Sequence, residues 1–84
     1  MKLEALITPE IRMAIHVRAE LLFELITEAE SDGASPEVIR QFLTEEFEGL
    51  EAKLHAIYPR ERVQAIVREL FVVYDAYKRW ISLE

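Results

Sequence analysis

Cysteine is absent from this chain, so neither a disulfide framework nor a thiolate metal site is open to it. That absence fits a reducing compartment, and a cytoplasmic protein is the expectation. Glycine is scarce too. Gly33 and Gly49 stand alone, which leaves no glycine-rich phosphate loop and no Gly-x-Ser-x-Gly nucleophile turn. No apolar run approaches the ~20 residues of a membrane-spanning helix, and no membrane partner is expected. Residues 1–8 (MKLEALIT) place a glutamate inside an apolar stretch too short for a secretory core. Basic residues are also in short supply, with 10 Lys and Arg against 16 Asp and Glu and a formal net charge of −6. Such a chain presents little positive field to a phosphate backbone, so general nucleic-acid binding is disfavoured. An enzyme is not expected from a chain with none of these catalytic motifs.

Proline is rare but telling. Its three occurrences, in Thr8-Pro9-Glu10, Ser35-Pro36-Glu37 and Tyr58-Pro59-Arg60, cut the sequence into segments of similar length. In the first two, a hydroxyl residue is placed to cap the free N–H groups of a helix. Proline fits at the first helical position, and glutamate lies near the positive end of the dipole. Gly33 falls between the first two segments, where a left-handed residue ending a helix is expected. The 84 residues therefore read as one all-α domain, an antiparallel three-helix bundle with helices at about 9–31, 36–57 and 60–81. A domain this small buries only about 60–65% of its unfolded surface, so its stability is expected to be marginal.

The three segments are unequal in charge. Residues 9–31 and 36–58 each carry a net charge of −3, whereas residues 59–81 carry +2. They are unequal in apolar surface as well. In the third segment Val63, Ile66, Val67, Leu70, Val73, Tyr74, Tyr77 and Ile81 follow the spacing of a single buried stripe. The second presents Ile39, Phe42, Leu43, Phe47, Leu50, Leu54 and Ile57 in the same way, around Gly49, which reads as a point of close approach for a neighbouring helix. The first has a main stripe of Ile11, Ile15, Leu22, Leu25, Ile26 and Ala29. It also has a second row, Met13, Val17 and Leu21, with Phe23 widening the far edge.

A three-helix bundle needs one stripe per helix, so this excess, in a chain 51% hydrophobic, calls for a further cover. A second copy of the chain is the simplest cover, because symmetric dimers are the commonest oligomers. The competing cover is residues 1–8, with Leu3, Leu6 and Ile7, folded back over the first helix.

Several residues are candidates for function. Glu20, Glu24 and Glu28 repeat at four-residue spacing beside the apolar row, and Glu45, Glu46, Glu48 and Glu51 form a second acidic group. Apolar anchors with a charged rim resemble an interface, and this rim suits a basic protein partner, with Glu20, Glu24, Glu28, Glu45 and Glu48 as the acidic surface. Met13, Val17, Leu21, Phe23, Tyr77 and Trp80 are the candidate interface residues. Phe71, Tyr74, Tyr77 and Trp80, spaced by three along the third helix, drift around its surface. That fits core and boundary packing better than a base-stacking platform.

In an antiparallel hairpin turning at Gly33, facing residues of the first two helices sum to about 67 in number. Arg18 and Glu46 lie within one turn of that register inside apolar arcs, which predicts a partly buried ion pair. His16 with Glu20, and Glu51 with His55, share helix faces but match no established metal motif, so no metal or other cofactor is expected. The functional expectation is a small protein–protein interaction module, an adaptor, regulator or inhibitor, acting as a homodimer. The alternative is a dimeric nucleic-acid-binding regulator that uses the third helix as its contact helix.

Overall fold

The computed structural model describes residues 6–82. Leu3 and Leu83–Glu84 lie outside the described residues, as does the side chain of Ile81. The chain is an all-α three-helix bundle of α1 (Pro9–Ser31), α2 (Pro36–His55) and α3 (Arg60–Ser82). Each start has a local cause. The Thr8 hydroxyl accepts from the Ile11 N–H at 3.2 Å, and the Ser35 hydroxyl accepts from the Val38 N–H at 3.3 Å. Pro9 and Pro36 occupy the first turns. Pro59 sits one step earlier than its counterparts. Its carbonyl accepts the first α3 bond, from Val63 N–H at 3.1 Å, so it caps α3 from outside.

α1 ends in a paired closure. Gly33 N–H donates to the Glu30 carbonyl at 3.1 Å, and Ala34 N–H donates to the Ala29 carbonyl at 2.9 Å. This two-bond pattern, a Schellman motif, needs a left-handed residue, and Gly33 supplies it with φ 91°.

The core lies between α1 and α3. Ile15, Ala19, Leu22 and Ile26 of α1 are buried with Ile66, Leu70, Val73 and Tyr74 of α3. Two contacts set the direction of this pair. Arg12 bonds Glu69 at 3.1 Å, and further along both helices Phe23 stacks on Tyr77 with ring centroids 6.3 Å apart. The helices advance together and so run in the same sense. α2 runs back against α3, held by an edge contact between Phe47 and Phe71 at 6.2 Å. At the turn between them, the Arg62 guanidinium lies 5.3 Å over the Tyr58 ring. Ile7 is buried in the same core, and Leu6 packs beside it.

α2 departs from its sequence pattern, because none of its residues is buried. Ile39, Phe42, Leu43, Phe47, Leu50 and Leu54 are half-covered against the core, while Ile57, beyond the helix end, is exposed. Gly49 differs from expectation too. No atom of a neighbouring element lies within 4 Å of the position a Cβ would take, so no helix of the same chain approaches it closely. Both differences have one cause: α1 and α2 each pack on α3 but scarcely on one another. The result is an open, elongated body of 42 × 27 × 16 Å.

Candidate protein-interaction surface

The second apolar row of α1 remains uncovered. Met13, Val17 and Leu21 are 71%, 62% and 54% exposed, and Leu25 continues the row at 48%. Leu6 and Ile7 join the core instead, so these two residues do not cover the row. Residues spaced by four advance about 40° around a helix of 3.6 residues per turn. The row therefore winds from the outer face at Met13 towards α2 at Leu25.

Glu20, Glu24 and Glu28 run alongside this row, one turn on from Val17, Leu21 and Leu25. All three are exposed, and none takes part in the ion pairs among the described residues. Arg12, the nearest cation of α1 to Met13 in sequence, is held by Glu69. Glu45 and Glu48 are also exposed, but they project from the solvent face of α2, where Gln41 donates to Glu45 at 3.3 Å. The five acidic residues thus divide into an α1 rim and a separate α2 face.

The aromatic candidates divide in a similar way. Phe23 and Tyr77 are half-buried against each other, and their first role is to join α1 to α3. Trp80 is 61% exposed and borders a shallow hollow with His16, Val72, Ala76 and Tyr77. Val72 is exposed as well, so an apolar strip follows the α1–α3 edge up to His16, one turn from Met13.

The expected Arg18–Glu46 pair is not formed. Both residues are exposed, and no ion pair joins them among the described residues. Their register is nevertheless that of the hairpin. Arg18 lines a hollow with Leu50 and Leu54, and nearer the turn Leu25 and Ala29 line another with Phe42 and Val38. The helices stand apart at this level, so each long side chain reaches water more easily than its opposite number.

An inter-helix pair that does form, Arg12–Glu69, depends on the α1–α3 offset and has no local signature in sequence. His55 lies 3.6 Å from Glu51 on α2, away from His16. Among the described residues no group of three or more His, Asp or Glu is placed to hold a metal ion, and no helix is long and apolar enough to cross a membrane.

The ionisation of Tyr74 is perturbed by its surroundings. Burial, and then the negative charges of Glu30 and Asp75, raise its pKa above the ordinary 10.0. The folded state thus binds the phenolic proton more tightly than the unfolded chain does. Its contribution is complete below pH 10 and is lost as pH rises through the raised value. Tyr74→Phe is expected to shift alkaline unfolding, followed by circular dichroism from about pH 9 to 12, to higher pH. An unchanged alkaline limb would show that another group controls it.

Together these features describe an exposed apolar and acidic surface. The chain matches no protein-family profile, no curated protein and no solved structure.

Proposed function

We propose that the chain is a small protein–protein interaction module, an adaptor, regulator or inhibitor, that receives a basic amphipathic helix of a partner on the outer face of α1. The observation that carries this reading is the uncovered row Met13, Val17 and Leu21 flanked by the unpaired rim Glu20, Glu24 and Glu28. Like charges spaced by four cost a helix a few tenths of a kcal/mol per pair, and an exposed apolar row gains nothing in water. A helix with leucines at the same spacing and lysines beside them reverses both penalties. Its lysines would lie against the rim while its leucines fill the row. The absence of cysteine fits work in a reducing compartment such as the cytoplasm.

The test is calorimetric titration with synthetic amphipathic peptides carrying that pattern, in lysine-flanked and glutamate-flanked forms. The lysine-flanked form is expected to bind, and to lose about tenfold in affinity between about 50 and 500 mM salt. Glu24→Lys replaces two repulsive pairs on α1 with two attractive ones. It is expected to raise stability by roughly 0.5–1 kcal/mol while weakening the peptide. Equal binding of both peptide forms, or no effect of Glu24→Lys on the lysine-flanked form, would contradict the acidic-rim reading.

A further inference from the structure

Two measures accord with an open, extended body. A folded monomer of 9.8 kDa is expected to expose about 5,200 Å², whereas this chain exposes 6401 Å². Its radius of gyration is 13.8 Å, against about 12 Å for a compact domain of this length.

Part of this opening is a slot between α1 and α2. It contains a hollow of about 160 Å³ beside Arg18 and Leu50 and another of about 220 Å³ beside Leu25 and Val38. Ile66 and Leu70 of α3 line the first hollow. The slot runs along most of α2, the helix with no buried residue.

We propose that a second copy of the chain closes this slot about a two-fold axis running along the helices, so that α1 packs on the partner's α2. The four helices around the axis then form a shared core, with one α3 outside each half. Rotation about such an axis leaves every residue at its own level and exchanges the two walls. Arg18 lines the first hollow, and Glu46 lies on α2 midway between Phe42 and Leu50, which line the two hollows; both charges are exposed, and neither takes part in an ion pair among the described residues. The operation carries Arg18 to Glu46 of the partner subunit, and Glu46 to the partner subunit's Arg18. Self-complementarity of this reciprocal kind is what an isologous interface requires.

Gly49, one turn from Glu46, has no neighbour within 4 Å of a built Cβ. In the same register it receives the partner subunit's Ala14, which gives the two backbones room to approach. Exposed Leu25 and Val38 supply apolar cover towards the Gly33 end. The arrangement sets α1 against α2 of the other copy, so the glutamate rims of the two α1 helices do not face each other. A purely basic helix suits this slot poorly, because Arg18 stands in its wall. The proposal goes beyond the docking of a basic helix at Met13 and Val17 and turns on Arg18, Glu46 and Gly49, so either can fail without the other.

Sedimentation equilibrium on the full chain, Arg18→Glu, Glu46→Arg and an equimolar mixture of the two variants tests it. The native chain is expected to dimerise. Each variant places two like-charge contacts in its own dimer and is expected to weaken it by about tenfold or more. In the mixture, the glutamate introduced in one variant meets the arginine introduced in the other, and the native Glu46 and Arg18 that remain meet in the same way. Association is then expected to return to near the native level. Both positions are exposed, and circular dichroism of each variant checks that the helices persist. A native chain that stays monomeric at about 100 μM, well above the micromolar range of modest interfaces, would overturn the proposal. So would variants that dimerise as well as the native chain, or a mixture that fails to recover.

Discussion

Leu70→Ala is expected to lower unfolding free energy by about 2–5 kcal/mol, a large share of the roughly 4–13 kcal/mol available to a chain of this length. Leu70 is only 1% exposed and is one of the largest fully buried side chains. It lies on α3, where α1 packs, and it also lines the slot bordered by α2. Truncation therefore removes contacts to the main core and widens an existing hollow, which gives the neighbours little to collapse onto.

The comparison that gives this prediction its edge is Leu54→Ala on α2. Leu54 is only half-buried, so its truncation is expected to cost about 1 kcal/mol, because less apolar area returns to water. Urea unfolding of both variants, each measured in dilute solution where the chain sediments as a monomer, checks the ranking. Equal losses would mean that α2 belongs to the core as fully as α3 does.

Ala19→Leu is expected to destabilise by about 1–3 kcal/mol through overpacking. Ala19 is 0% exposed, on the α1 face between the Arg12–Glu69 bond and the Phe23–Tyr77 stack. An alanine there lets two parallel helices approach closely, and the added isobutyl bulk has no void to enter. That bulk is expected to separate Phe23 from Tyr77, which near-ultraviolet circular dichroism reads independently of stability. A neutral substitution with an unchanged aromatic spectrum would show that α1 and α3 are not in tight contact at this level.

These expectations follow from features that the sequence revealed unevenly. Helix starts were legible because capping is local: Thr8 and Ser35 reach N–H groups only three residues away. The Gly33 closure was legible for the same reason, since a left-handed backbone selects glycine. The α1 row was legible because spacing by four is visible in one dimension, and Met13, Val17 and Leu21 are indeed left uncovered.

What depends on the distance between helices was not legible. The stripe of α2 reads as well as that of α3, yet a periodic pattern records which face is apolar and not how much of it is covered. Arg18 and Glu46 were placed at the right level but on helices that stand apart. Arg12–Glu69 spans 57 residues and needed the α1–α3 offset before it could be seen. That Phe23 and Tyr77, both candidate interface residues, stack on each other depends on that same offset.

In this architecture α1 and α3 make the core, while α2, with no buried residue, is held against α3 on one side only. Amide hydrogen exchange, measured per helix at low and high protein concentration, tests it most directly, because exchange reports the opening free energy of each element. The α2 amides from Ile39 to Leu54 are expected to exchange about tenfold or more faster than those of Ile15–Ile26 and Ile66–Tyr74 when the chain is dilute. They are expected to slow as concentration rises. Protection of α2 equal to that of α1 and α3 in dilute solution, and unchanged with concentration, would show instead that α2 is a full member of a closed core.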